Sequence, residues 1–419
     1  MSSRIIHSLS AVRALVIDKQ GLNRKPVIDR NASMDEVYSI VDRIGCVQID
    51  SLQMVRRSQY IVLWSRLGLY DTDDFDKLIY SESCRRLFEY WLHEASIIPL
   101  TWFPALIPVM ECNRNGRSRG SKNWLEEPGN NQLMNDIFNR VNRNGCVKSS
   151  DFREKRRNRG SWWDWKPEKR ALEILYDRGS FMVTSRINFQ KVYDLKERVL
   201  PKWVNKTGMT HHESYRHLLI NAMKALGICH PSQIGDYIHV KRTVARPFVN
   251  QLLDEGIIVK VKARLKDDTV HDLVIHKDDL ELLSRASDND IDVSNTTFLS
   301  PFDNLFWARD RDLQFWGFQQ VLEAYKPKHL RKWGYFCLPI LYKNRLIGRI
   351  DPKIERQKGI LILHNIILEP GISVDEELLK GIASALKRFR DFNDCKEILI
   401  EKSTPKDFVL KLKGEINTR

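Results

Sequence analysis

The stretch Tyr215-Arg216-His217-Leu218-Leu219-Ile220-Asn221-Ala222-Met223-Lys224-Ala225-Leu226, followed by Gly227-Ile228-Cys229, sets the fold. It reads as a helix stopped by a glycine turn, and 231–239 continue as a short second helix, the frame of a helix-turn-helix. Residues 244–253 form a third helix, which Gly256 stops. Beyond it, 257–261 and 270–275 alternate apolar and polar residues across a polar turn, as paired strands do. Three helices followed by a β-hairpin make a winged-helix pattern.

Related words lie upstream. A helix over 133–141 leads to Asn144-Gly145-Cys146-Val147 and a polar helix. Earlier still, Val12, Leu15 and Val16 mark a helix over 10–20, and Met34, Val37, Ile40, Val41 and Ile44 mark another behind Ser33, closed by Gly45. In Cys46-Val47-Gln48-Ile49-Asp50 the period changes to two, which predicts a short strand with Val47 and Ile49 on one face and Gln48 and Asp50 on the other. Downstream of Thr296 the texture turns to strands, at 335–341, 346–350 and 359–368, with a helix over 374–389 across them. The fold class predicted is therefore α+β: three tandem winged helix-turn-helix modules and a C-terminal β-rich α+β part. The corresponding divisions are 1–100, 101–204, 205–283 and 296–419. Residues 113–128 and 284–295 are polar and breaker-rich and read as loops.

Charge narrows the partners. The 419 residues, enough for two to four domains, carry 68 Lys and Arg against 54 Asp and Glu, a net charge of +14. Such a surface attracts polyanions and disfavours acidic small substrates. The longest apolar run, 97–110, is interrupted by Pro99, Pro104 and Pro108 and is too short for a bilayer, and the first residues lack a signal sequence's apolar stretch. A soluble, cytoplasmic chain is expected. Seven scattered cysteines without a C-x-x-C pair argue against a disulfide framework or a zinc cage, so no metal and no cofactor are expected.

Several clusters are able to carry chemistry. Arg114, Arg117, Arg119, Lys122 and Trp124, and then Arg153, Lys155, Arg156, Arg157, Arg159, Trp162, Trp163, Trp165 and Lys166, combine cations for phosphates with aromatic faces for bases. The same composition also suits a solvated face beside core tryptophans. Gln48 and Asp50 pair an amide with a carboxylate able to share a water, though a polar strand face capping the turn at Ser51 has the same sequence. Glu89-Tyr90-Trp91-Leu92-His93-Glu94 and the run from Ser300 through Asp303 to Trp307 concentrate acids, aromatics and breakers. His211-His212-Glu213 lacks the spacing of a helical zinc site, and no G-x-G-x-x-G, Walker A or G-x-S-x-G occurs.

Taken in order, Gly45 to Leu52, Leu63-Trp64-Ser65-Arg66-Leu67-Gly68, Tyr70-Asp71, Glu89 to Ser96, Trp162 to Lys166, Tyr193-Asp194-Leu195, Glu197 to Pro201, Leu299 to Leu305 and Gly348-Arg349-Ile350-Asp351 resemble the winged-helix DNA glycosylases that unhook interstrand crosslinks, the AlkZ/YcaQ type. The resemblance spans nearly the whole chain. It implies three winged modules, the first carrying the catalytic motif, that line a basic channel for double-stranded DNA. It also implies metal-free excision of N7-alkylated purines and crosslinked bases, leaving an abasic site. The family's Gln-apolar-Gln or Gln-apolar-Asp motif falls on Gln48-Ile49-Asp50, a form similar to the broader-specificity branch, so Gln48 and Asp50 are the implied catalytic pair. Arg57, Gln59, His93, Lys155, Arg156, Arg157, Trp163, Ser300, Asp303 and Trp307 are implied to contact DNA or lie near the lesion. Gln59 stands where the family pattern leads one to expect histidine. The implied protein is a monomer near the nucleoid, with no membrane partner. The rival from another class is a tandem winged-helix transcription regulator, which accounts for the charge and the helical words but not for the C-terminal third.

Overall fold

The computed structural model describes residues 5–152 and 166–417. They form two compact units: Met1–Asp74, Leu92–Glu94 and Leu219–Arg419 make the first, and Phe75–Trp91 and Ala95–Leu218 the second. The architecture is mixed α+β.

In the first unit, helix Leu9–Lys19 begins at Ser8, whose Oγ accepts the Ala11 N–H, one residue earlier than the apolar spacing indicates. It buries Val12, Leu15 and Val16 in a core shared with Ile228, Val261, Leu273 and Ile275 and with Leu299, Leu305, Phe315 and Leu341. One core thus joins segments that the sequence reading assigns to three different parts. Strand Ile258–Arg264 pairs antiparallel with Val270–His276, as the alternation predicts; Ile6–His7 and Ile228–Cys229 extend the sheet on either side. Helix Met34–Ile44 matches its predicted bounds because both ends are coded locally. Ser33 and Glu36 form a reciprocal capping box, and Gly45 turns the chain at φ +78°.

The C-terminal part of this unit is a six-stranded sheet. Thr296–Phe298, Leu338–Tyr342, Arg345–Glu355 and Ile360–Leu368 run antiparallel in chain order, and Glu397–Ile400 and Ser403–Thr404 add parallel to the last of them. Helix Glu376–Phe392 turns Leu378, Ile382, Leu386 and Phe389 inward. Phe389 and Phe392 meet Trp64, with ring centroids 4.7 and 6.1 Å away. Trp64 belongs to helix Ser58–Leu67, which this contact ties to the sheet.

The second unit holds strands Leu87–Trp91 and Ala95–Pro99, helices Phe103–Cys112, Asn130–Asn144 and Pro167–Asp177, and a sheet in which Gln190–Leu195 lies between Val147–Lys148 and Phe181–Ile187. In its interior Arg186 grips the Glu89 carboxylate at 2.6 and 2.7 Å, and the Tyr80 hydroxyl donates to the same carboxylate.

Three expectations are corrected. Residues 231–239 form two 3-10 turns, Pro231–Gln233 and Gly235–Ile238, because the chain closes on itself so tightly that a Cβ at Gly235 would lie 2.8 Å from the Val240 carbonyl. Segment 113–128 is no plain loop: Ser118 caps helix Arg119–Glu126, which buries Trp124. The strand predicted over 46–50 is only Val47–Gln48, since Asp50 leaves the ladder to accept the Leu52 N–H at 2.7 Å. Gln48 is itself buried.

Candidate active site

The approach to Gln48 and Asp50 is pinned at its backbone. The Tyr237 hydroxyl donates to the Ile44 carbonyl at 2.7 Å, and Asn304 Nδ2 donates at 2.9 Å both to the Cys46 carbonyl and to the Tyr237 hydroxyl. Asn304 is fixed in turn by its neighbour. Asp303 receives Arg66 Nη1 and Nη2 at 2.7 and 2.9 Å, and both side chains are 0 % exposed. The Leu305 N–H also donates to Asp303. Paired and hydrogen-bonded charge of this kind is the form in which a buried ion pair is tolerated. Ser300 and Asp303 are both fully buried; Ser300 Oγ accepts the Phe302 N–H, and Asp303 holds the turn that carries Asn304.

Beyond Asp50 the chain is stitched to the C-terminal part. The Ile354 N–H donates to the Met54 carbonyl at 3.0 Å and Arg356 donates to the Val55 carbonyl at 3.2 Å. Arg56 donates to the Phe392 carbonyl, Thr72 and Asp394. Asp50 is half-buried, and burial pushes its carboxyl above the ordinary value, with the Leu52 N–H opposing the shift. Arg57 caps helix Ser58–Leu67 as its first flanking residue, and the buried Gln59 side chain leaves Oε1 without a hydrogen-bond partner among the described residues.

His93 lies in a stack of rings. It is 9 % exposed, parallel to Trp307 within 6° at 4.1 Å, and covered on its other side by His239 at 4.0 Å. Its Nδ1 sits 3.2 Å from the Tyr237 carbonyl. Burial first, and then His239, lower its pKa to about 3, so the ring is neutral at physiological pH and is no proton donor. His239, in the left-handed region at φ +53°, borders an open cavity of about 440 Å³ together with Lys241, Arg242, Trp307 and Arg309.

The structure brings His93 and Trp307 into direct contact, and buries Ser300 and Asp303 in the turn that leads to Asn304. Lys155, Arg156, Arg157 and Trp163 lie outside the described residues. In the upstream cluster, Trp124 is a core residue, while Arg117 lies 3.7 Å over the Trp91 ring, whose Nε1 donates to Asp177. Sequence reasoning missed Tyr237 and His239, and Arg66 stood inside a quoted word without a role. Asn304 was inside a quoted word without a role, and nothing local marks a hydroxyl that acts 193 residues away.

The motif thus sets a buried amide and a half-buried carboxylate beside a backbone anchored by Tyr237 and Asn304, in a chain of net charge +14. Residues 41–392 match the model of the AlkZ-like DNA glycosylases, and the chain belongs to that family. The matched range contains Gln48, Asp50, His93, Asp303 and Asn304. Among solved structures, the Streptomyces sahachiroi DNA glycosylase AlkZ superposes with a TM-score of 0.64 over 95% of this chain and 100% of that chain, at 11% identity, a likeness of fold. Family membership takes the chain away from the regulator alternative. No helix among the described residues is long and apolar enough to cross a membrane.

Proposed function

We propose that the chain hydrolyses the N-glycosidic bond of N7-alkylated purines in duplex DNA, and thereby unhooks interstrand crosslinks made through such bases. The observation that carries this reading is the half-buried Asp50 carboxylate, two residues beyond Gln48 on a backbone anchored by Tyr237 and Asn304. Alkylation at N7 leaves the purine cationic, so it departs as a neutral base without a strong general acid. Positive charge then develops on the sugar. Asp50, ionised, stabilises that charge and takes a proton from the attacking water, while the Gln48 amide orients the same water. The water oxygen bonds to the anomeric carbon, the bond to N9 breaks, and an abasic site remains.

The motif has no lysine for a Schiff base, which makes the enzyme monofunctional. A base tethered to both strands does not rotate into a closed pocket, so access is through an open cleft. In this reading three winged modules, 1–100, 101–204 and 205–283, and the part 296–419 line a basic channel. Arg57, Lys155, Arg156, Arg157 and Trp163 face the DNA, and Gln59, His93 and Trp307 lie nearer the lesion. The protein acts as a monomer without cofactor, in the cytoplasm at the nucleoid.

The test is release of 7-methylguanine from methylated duplex and unhooking of a defined crosslink by the wild type and by Asp50→Asn. Loss of one such electrostatic group costs on the order of a hundredfold or more in rate, with DNA binding retained. Excision by Asp50→Asn at the wild-type rate, or an enzyme-DNA adduct trapped by borohydride, overturns the assignment.

A further inference from the structure

Between helix Arg311–Trp316 and strand Leu338–Tyr342 runs a long connection whose only regular element is the 3-10 turn Lys328–Leu330. Its centre reads Tyr325-Lys326-Pro327-Lys328-His329-Leu330-Arg331-Lys332, four cations in seven positions after a tyrosine. Tyr325 is 76 % exposed and Leu330 60 %. An exposed aromatic ring with cations around it is open to contact with another molecule.

The connection is nonetheless rigid. Glu323, 2 % exposed, accepts the backbone N–H groups of Lys332, Trp333 and Gly334 at 3.1, 2.8 and 3.4 Å, and the Lys326 ammonium at 3.0 Å. Burial opposes its charge, yet those donors, Trp333 and Lys332 foremost, bring its carboxyl down to about 2. Asp351 accepts the next two N–H groups, of Tyr335 and Phe336, each at 3.2 Å. Five consecutive backbone donors are thus held by two carboxylates, and a Cβ at Gly334 would overlap the second of them. Arg331 Nε closes the base on the Lys326 carbonyl at 2.9 Å.

The loop stands beside the candidate active site. The strand that carries Asp351 also donates from Ile354 to Met54, four residues past Asp50. The Tyr325 phenol is pushed up by burial and then by the negative charge of Asp50, so the two side chains share one field.

We propose that residues 325–332 are a stacking loop for the lesion-bearing DNA strand: Tyr325 lies against a base adjoining the one that Asp50 acts on, and Lys328 meets a flanking phosphate. A rigid aromatic with cations around it is the chemistry that grips an unstacked base, and preformed geometry lowers the entropy lost on binding. The proposal rests on the reading of Asp50 as the excising carboxylate, and its test separates the two.

The parent is Asp50→Asn, which holds DNA without turnover, compared with Tyr325→Ala, Tyr325→Phe and Lys328→Ala made in the same background. The probe is a duplex with a tetrahydrofuran abasic analogue next to 2-aminopurine, against its undamaged counterpart; affinity and 2-aminopurine fluorescence are read. Tyr325→Ala loses roughly tenfold in affinity for the abasic duplex, the size of one stacked base, together with the fluorescence change, and Tyr325→Phe keeps both. Lys328→Ala weakens both duplexes alike. Melting temperatures stay at the parent value, since Tyr325 and Lys328 are solvent-exposed. Equal behaviour of Tyr325→Ala and the parent, or no binding by the parent, overturns the loop's role. If Tyr325→Ala equals the parent while the wild type releases 7-methylguanine, the loop proposal fails and the excision reading stands. If the wild type releases none while the Tyr325 contrast holds, the excision reading fails and the stacking contact survives.

Discussion

Asp50 sits under two opposed influences, burial that favours its neutral form and the Leu52 N–H that favours its charge, and burial is the stronger. Its folded pKa therefore lies above the unfolded value, and two consequences follow with definite signs. On the proposed mechanism the ionised form is the one that excises, so kcat rises with pH through a limb displaced above the ordinary aspartate range and falls away on acidification; a pH profile of 7-methylguanine release checks this, and a limb at the unshifted position contradicts it. In the same terms, ionising Asp50 above its folded pKa costs stability, so at neutral pH Asp50→Asn melts at or above the wild-type temperature. Replacing Asp303 has the opposite effect on stability. Removing it strands the buried Arg66 guanidinium, and Asp303→Ala should lose roughly 3–5 kcal/mol in denaturant unfolding. A loss within experimental error would show that the Gln20 and Val62 carbonyls, which already accept from Arg66, suffice to hold the guanidinium.

At the scale of elements, the two-residue strand Val47–Gln48 owes its position to Asn304 and Tyr237 more than to its own length. Asn304→Ala removes the donor to the Cys46 carbonyl and one partner of the Tyr237 hydroxyl. The expected result is a fall in kcat of tenfold or more, the scale on which a small misplacement of a catalytic group acts, with KM little changed. A change confined to KM, or none, removes Asn304 from the positioning role. Elements with both ends coded nearby were legible in the sequence: helix Met34–Ile44 from its capping box and glycine, and the pair Ile258–Arg264 and Val270–His276 from alternation. The catalytic strand was legible only as a change of period, because what holds it comes from residues 193 and 258 positions away. Gln48 and Asp50 were visible as a pair, but the neutral, sandwiched state of His93 was not, since it depends on Trp307 and His239. The basic run at 326–332 stood in plain view. Nothing local announced that Glu323 and Asp351 would stiffen it.

For the whole molecule, the net charge of +14 sets how it meets DNA before any lesion is found. Binding to undamaged duplex should be indifferent to sequence and steeply weakened by salt, by roughly 10³ to 10⁵ between 50 and 200 mM if six to ten phosphates are neutralised. Titrations on several unrelated duplexes across that range measure it, and a flat response or a strongly preferred sequence contradicts it. The order of the chain has a further consequence. The first unit is assembled from Met1–Asp74, Leu92–Glu94 and Leu219–Arg419, and the whole of the second unit lies between Asp74 and Leu219 in the chain. On the ribosome, Arg66 emerges 237 residues before Asp303, an interval on the order of tens of seconds at ordinary rates of synthesis. Throughout that time the guanidinium has no carboxylate, the Cys46 carbonyl has no amide, and the apolar side of helix Leu9–Lys19 waits for its cover. A chain cut short anywhere before residue 303 therefore lacks the parts that align Gln48 and Asp50. A DNA glycosylase is in this way armed only after 303 of its 419 residues have been made.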